Sequence, residues 1–521
     1  MDNSKTRIGK DVIESLTFAM YDDPRFIYRE YIQNSADQID IAFENNFITS
    51  KEESKIEIKI DKVGKNISIY DNGTGIPKDK VLLVLKNIAQ GVKDRTKHKG
   101  FRGIGRLGGL AYCDELIFET SYFGETTKSI LTWNAKKLKQ IINNRDKKEE
   151  ASEVIDTITS LETEPAKENE RFFRVILKNI SNEILLDKSN IIDYLSMVAP
   201  VPYKNGFYYD EKIYKKASEL GYTIDEYNIY VNNNQIFKEY TTTIYEKHGN
   251  GKKRVDSIHD VDFFEIKNST NELLCWGWYS LSEIKAQMKD INIARGIRLR
   301  KSNIQIGDEN RLANLFVASN VQDKRFSFYF FGEIHAVSPD LIPNARRDYF
   351  TENKTFEIFE KETKSEFKKL KEYCYFSSNV RSEERKIQKF IDFTAEYKTK
   401  NQKGFTKSSD KKKLDEKFDE LKGSAKKAKQ KIERIGQNVE NDKTKNKIFE
   451  KITKENKTLI QKVENKKRNN NSKPKLISDG LSKHNRNERK LVSKILGIID
   501  NILPKDLSEN VKQKIVEELN K

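Results

Sequence analysis

Apolar residues recur every three or four positions at Val12, Ile13, Leu16 and Met20, then at Phe26, Ile27, Tyr31, Ile32, Ile39 and Phe43. That period predicts helix over 10–45. Asp22-Asp23-Pro24 breaks it, and Pro24 sits near the first turn of the restart. From Ile56 the period falls to two, so Ile56, Ile58 and Ile60 line one face of a strand over 55–61. Gly64-Lys65-Asn66 turns the chain into a returning strand with Ile67 and Tyr70, which ends at Asp71-Asn72-Gly73. A helix over 78–90, a glycine-rich loop, and strands over 114–121 and 172–180 follow. Mixed patterns over 186–375 predict a second α/β domain. Further on, Leu414, Phe418, Leu421, Ala425, Ala428, Ile432, Ile435 and Val439 step by alternating fours and threes. This heptad seam predicts a coiled coil or helical hairpin.

Composition changes this picture in the tail. The 521 residues carry a net charge of +17. Residues 381–521 hold 39 Lys and Arg against 22 Asp and Glu, whereas the preceding 380 residues balance at 58 of each. The excess therefore belongs to the tail, which points to a polyanion partner. A solvated helical surface would show the same charge. No apolar run is long enough to span a membrane, and the N-terminus lacks the apolar stretch of a signal peptide. Cys113, Cys275 and Cys374 are far apart and form neither a zinc pattern nor a disulfide framework. A cytoplasmic setting is expected.

Three elements carry candidate chemistry. Glu30, Asn34 and Asp37, at i, i+4 and i+7, share one helix face. A glutamate there can take a proton from an attacking water. An asparagine can offer its carbonyl oxygen to Mg²⁺, which favours oxygen ligands. A polar face on a surface helix is the bland alternative. In Asp71-Asn72-Gly73-Thr74-Gly75 a carboxylate at a strand end can accept a hydrogen bond from a purine amino group. Gly73 and Gly75 let backbone approach a flat ring. Between Lys99 and Gly109 stand five glycines, Gly100, Gly103, Gly105, Gly108 and Gly109. Such a loop, opening a helix, suits a phosphate cradle. Residues 103–108 also fit a dinucleotide fingerprint, but a polar loop precedes them where that motif needs a strand. No P-loop pattern occurs.

In this order and spacing the three elements resemble the N-box, DxGxG box and lid glycine box of the GHKL ATPases (gyrase, heat-shock chaperone, histidine kinase and MutL). Residues 12–42 (VIESLTFAMYDDPRFIYREYIQNSADQIDIA) and 99–121 (KGFRGIGRLGGLAYCDELIFETS) are similar to the ninety-kilodalton heat-shock chaperones. The resemblance implies an α+β fold: a Bergerat-type ATP-binding α/β sandwich, then an α/β transducer (middle) domain and a helical or coiled-coil tail. It implies ATP and Mg²⁺ as cofactors. Glu30 would activate water, Asn34 would bind the metal, and Asp71 would read adenine. Asp37, Gly73 and Gly75 would line the pocket. Gly100, Gly103 and Gly105 would hold phosphates beneath a lid over about 88–108, with Lys99 and Arg102 in reach. The family's Gly-Thr before a late strand is missing; the matching strand begins Arg171-Phe172-Phe173. Either Thr120 or a water fills that role, or the adenine contacts differ.

A weaker resemblance continues to about residue 350. The stretch from Arg295 to Asp308 is similar to a transducer strand. The stretch from Leu341 to Asp348 is similar to the chaperones' catalytic-arginine loop. By that match Arg347 reaches the γ-phosphate, with Arg346 and Lys301 as alternatives. The expected domains are 1–185 for ATP binding, 186–375 as transducer, 376–470 as Lys-rich helix, 471–487 as linker and 488–521 as a short helical segment that Pro504 interrupts. The lysine-rich tail is more like microrchidia-type or mismatch-repair clamps. The expectation is an ATP-dependent homodimeric clamp that acts on nucleic acid, double-stranded DNA in particular, through residues 381–521. A protein-remodelling chaperone, or a nucleotide-switched scaffold for a partner protein, is the alternative. A place in prokaryotic antiviral defence would fit the clamp or the scaffold.

Overall fold

The apolar periodicity of the first fifty residues becomes two helices, α1 (Asp11–Thr17) and α2 (Phe26–Glu44). The structure, a computed structural model, describes residues 6–17, 23–88, 103–318, 320–454, 476–477, 481 and 483–521. Met20, Asp22, Lys99, Gly100, Arg102 and residues 469–474 lie outside the described residues. The chain forms two units, one of residues 1–282 and 286–371, the other of 283–285 and 372–521.

In the first unit the alternating segments become β1 (Ile56–Asp61), β2 (Asn66–Asp71), β3 (Glu115–Ser121), β4 (Thr127–Asn134), β5 (Thr159–Pro165) and β6 (Phe172–Lys178). β6 stops at Asn179, whose φ of 56° is left-handed. Two short strands, β7 (Ile229–Val231) and β8 (Asn234–Gln235), complete an eight-stranded sheet in the order β5-β4-β3-β6-β2-β1-β7-β8. All neighbours are antiparallel except β1 and β7. The sheet thus crosses the boundary expected at residue 185. The helix expected over 78–90 is a 3-10 turn, Lys78–Lys80, and a five-residue α3 (Val81–Leu85). Helices α4 (Ala135–Asn143), α5 (Ala151–Ile158), α6 (Lys188–Val198) and α7 (Asp210–Glu219) follow.

The core lies between α2 and the sheet. Ile27, Tyr31, Ala36 and Ile39 meet Ile58, Ile67, Ile69, Leu116, Phe118, Val175 and Leu177, all buried. Burying each large aliphatic or aromatic side chain contributes about 1.5–3 kcal/mol. α2 is thereby a fixed platform for the polar residues on its other face.

Farther along are a separate two-stranded ribbon, β9 (Thr243–His248) with β10 (Gly251–Ser257), and a five-stranded sheet. That sheet has β11 (Asp260–Lys267), β12 (Leu273–Leu281), β13 (Gly296–Lys301), β14 (Ile304–Ile306) and β15 (Phe331–Ala336), in the order β11-β12-β15-β13-β14. The stretch from Arg295 to Asp308, expected as one strand, is the β13–β14 hairpin. Ser302 and Asn303 both take left-handed φ, 49° and 58°, and reverse the chain. On β15 of this sheet Glu333 is wholly buried and accepts from Lys238 Nζ at 3.1 Å, Tyr203 OH at 2.7 Å, Tyr240 OH at 3.1 Å and Arg300 Nε. Burial alone would raise its pKa, but Arg300 and Lys238 hold it well below the usual carboxylate range.

In the second unit the heptad seam is a helical hairpin. Helix α8 (Lys354–Lys403) enters it from the first unit, Gly404 at φ 89° turns the chain, and α9 (Ser408–Asn438) returns. Leu414, Phe418, Ala425, Ala428 and Ile432 pack against Ile387, Phe390, Phe393 and Tyr397. Helices α10 (Lys443–Lys454), α11 (Arg486–Ile502) and α12 (Lys505–Asn520) end the chain, with Pro504 between the last two. The architecture is α+β with a helical C-terminal part. No described helix is long and apolar enough to cross a membrane.

Candidate functional site

β2 alternates so that Ile67, Ile69 and Asp71 face inward. Asp71 therefore puts a carboxylate on an apolar face, 1% exposed, where its Oδ1 accepts from Gly73 N at 3.0 Å. The loop after it is wedged between elements. A Cβ on Gly73 would lie 2.7 Å from Gln38 Cβ on α2. Gly75 has φ 69°, and a Cβ there would lie 1.9 Å from the carbonyl oxygen of Ser121. Only glycine allows this approach.

Across from this loop stands the polar face of α2. Asn34 is half-buried, and Asp37 and Glu30 are 2% and 7% exposed. The glycine-rich segment arrives as a seven-residue 3-10 helix, Gly105–Ala111, in place of an α-helix. Gly103 is left-handed, at φ 67°. Gly105 backs onto Glu30, since a Cβ there would lie 2.2 Å from Glu30 Oε2. Gly108 and Gly109 seat the segment against Phe26 and Tyr31, and Tyr31 OH donates to the carbonyl of Arg106 at 3.0 Å.

The arginine loop reaches the same carboxylate from far along the chain. Arg347 Nε lies 3.6 Å from Glu30 Oε1, and Arg29 Nη2 donates to that oxygen at 3.4 Å. Arg29 also donates to the carbonyl of Arg346 at 3.3 Å, which ties the loop to α2. Arg347 takes a left-handed φ of 53°, uncommon for a large residue. Its carbonyl accepts from Gly307 N at 2.9 Å, which fixes the loop against the end of β14.

The structure thus brings Glu30, Gly105 and Arg347 together, with Asn34 and Asp37 farther along the same helix. It does not bring Lys301 there. The Lys301 ammonium donates to the carbonyls of Ser338 at 2.7 Å and Val337 at 3.4 Å, and burial pushes its pKa down to about 8. Arg346 is exposed. Lys99, Gly100 and Arg102 lie outside the described residues. Thr120, the expected substitute near adenine, has its hydroxyl engaged: it donates to the carbonyl of Phe172 at 3.0 Å and accepts from Ile76 N at 2.8 Å.

Sequence reasoning missed Arg171. Its guanidinium donates to the carbonyls of Asn72, of Gly73 at 2.9 Å and of Phe47 at 2.6 Å. It clamps the Asp71 loop from the position where the Gly-Thr was expected. The signal was a lone arginine opening an apolar strand. A buried carboxylate beside close-set backbone, and a second carboxylate beside two arginines, are groups that suit a flat, amino-bearing ring joined to phosphates. Among the described residues no group of three or more His, Cys, Asp or Glu side chains is placed to hold a metal ion.

Parts of the chain are similar to known proteins. Residues 28–164 match the family model of histidine kinase-, DNA gyrase B- and HSP90-like ATPases. The chaperone protein HtpG of Wigglesworthia glossinidia brevipalpis is 28% identical over 242 residues, 42% of this chain and 35% of that protein. HtpG of Anaplasma phagocytophilum is 28% identical over 136 residues, 23% and 21% of the two chains. HtpG of Campylobacter jejuni is 34% identical over 84 residues, 15% and 14%. The matched part spans about a third or less of these relatives' length.

Proposed function

We propose, from the match of residues 28–164 to the histidine kinase-, DNA gyrase B- and HSP90-like ATPases and from the resemblance to Hsp90-type chaperones, that this chain is a GHKL-type, ATP-dependent conformational clamp that hydrolyses ATP to ADP and phosphate. The observation that carries this reading is the meeting of Glu30, Gly105 and Arg347 from three distant parts of the first unit. When bound, Mg-ATP supplies the phosphoanhydride and a cation that spreads phosphate charge. Asp71 accepts from the purine amino group, while Gly73 and Gly75 leave room for the ring. Asn34 would offer its side-chain oxygen to the metal. In the arrangement seen, Arg347 and Arg29 both face the Glu30 carboxylate. Arg347 would exchange Glu30 for the γ-phosphate, where a cation stabilises a loose phosphoryl-transfer transition state. Glu30 is then left to take the proton of the attacking water. Closure pairs two copies, and hydrolysis reopens them.

The favoured partner is double-stranded DNA, held through residues 381–521 by sequence-independent phosphate contacts. A second reading, protein remodelling, is favoured by the chaperone names of the relatives; it predicts suppression of client aggregation. The ATPase reading is tested by Glu30→Ala. The variant is expected to bind ATP as wild type does and to turn it over at least about 100-fold more slowly. Undiminished turnover would remove Glu30 from the mechanism.

A further inference from the structure

Among the described residues the β9–β10 ribbon pairs with no other strand. Gly249 and Asn250 close it, with Gly249 at φ 56°. The register sets Lys247 opposite Lys252, Glu246 opposite Lys253, and Tyr245 opposite Arg254. Side chains alternate along a strand, so Tyr245, Lys247, Lys252 and Arg254 share one face. Glu246 and Lys253 share the other and balance each other. The first face holds three cations and no carboxylate. Residues 247–254 are all exposed.

Like charges directly opposite one another destabilise a hairpin. Lys247 and Lys252 form such a pair, and no ion pair relieves them among the described residues. By contrast Lys204, Lys212, Lys216 and Lys267 each have a carboxylate within 3.0 Å. Lys252 Nζ lies 4.5 Å from the Tyr245 ring centre, which keeps it over the same face. Below the tip the register slips between Arg254 and Asp256, leaving Val255 as a bulge, and a bulge adds local twist. Lysines on exposed strands also block edge-to-edge pairing. That role asks nothing of which face they occupy, whereas these cations are concentrated on one.

We propose that this face of the ribbon docks on the phosphate backbone of double-stranded nucleic acid. A two-stranded ribbon fits the major groove, about 12 Å wide. Lys247 and Lys252 flank its tip, and Arg254 follows about 7 Å along the strand. The face has only Tyr245 as apolar surface, so it lacks the anchors a protein partner would bury. The inference rests on the nucleic-acid part of the proposed function and adds a contact outside residues 381–521.

The test uses the full chain and a fluorescent 30-base-pair DNA duplex, with anisotropy read across a salt series. The variant carries Lys247→Gln, Lys252→Gln and Arg254→Gln; a control carries Lys247→Arg and Lys252→Arg. The triple variant is expected to bind about ten-fold more weakly or worse, with the log–log salt slope reduced by about 3, while the control binds as wild type. Both should keep wild-type ATP turnover without DNA. Unchanged affinity and slope in the triple variant would overturn the proposal. So would equal competition by polyglutamate, which would assign the face to acidic proteins. A wild type that hydrolyses ATP through Glu30 but binds no duplex would overturn this inference and leave the ATPase reading standing. Duplex binding lost in the triple variant, without ATP turnover in any form, would do the reverse.

Discussion

Asp71 stands where the alternation of β2 calls for an apolar side chain, behind Ile67 and Ile69. A carboxylate is costly in such a position unless something binds it. Asn at 71 keeps an acceptor for Gly73 N but offers an N–H₂ group where a purine amino group would donate. Asp71→Asn is therefore expected to weaken ATP binding at least about 30-fold, as a charged hydrogen bond is lost and a donor faces a donor; calorimetry reads it, and wild-type affinity would remove the adenine role. Lys301 carries a different prediction. A buried lysine whose folded pKa is about 8, below its unfolded value, lowers stability most below pH 8. The penalty fades as pH rises from 8 toward 10, because the unfolded chain then binds more protons than the folded one. Lys301→Met should thus melt above wild type at pH 7, and the gap should narrow by pH 10. A gap independent of pH would contradict this placement. The Glu30, Asn34 and Asp37 face and the Asp71 loop were legible in the sequence because they rest on local spacing. The grip of Arg171 on that loop was not, since its partners are carbonyls from Phe47, Asn72 and Gly73.

Elements were legible where their period was strong. α2, β1, β2, β3 and β6 lie where the apolar pattern puts them, to within a few residues. The stretch expected as one strand became β13 and β14 because Ser302 and Asn303 can take left-handed turns, which no hydrophobic period encodes. The seam from Leu414 to Val439 left its partner open, since a heptad does not say whether the facing helix is parallel, antiparallel or on another chain. In the structure α9 folds back on α8. Phe418 lies 5.3 Å from Phe390 and 4.6 Å from Tyr397, ring centre to ring centre, and Tyr397 OH donates to Asp415 at 2.7 Å. Phe418→Ala is expected to destabilise this unit by about 3–5 kcal/mol. Urea unfolding measures it, and a loss below about 1 kcal/mol would place the aromatic contacts outside the hairpin's core.

At the scale of the whole molecule, charge and chemistry are distributed differently. The net charge sits in residues 381–521, and that excess was visible by counting. The ribbon's cations were hidden in a region that balances overall, and only strand register gathers three of them on one face. The residues proposed to hold nucleotide lie in the first unit, where the Arg347 loop comes from beyond the five-stranded sheet to meet α2. Two groups that act as one unit lose little more when both are removed than when one is. The most direct measurement is steady-state ATP turnover by wild type, Glu30→Ala, Arg347→Ala and the double variant, with ATP binding checked in each. Each single change is expected to slow turnover by about 100-fold or more with binding kept, and the double variant to be within about three-fold of the slower single one. Full turnover in Glu30→Ala, or losses that multiply in the double variant, would show that the two residues do not serve one catalytic site.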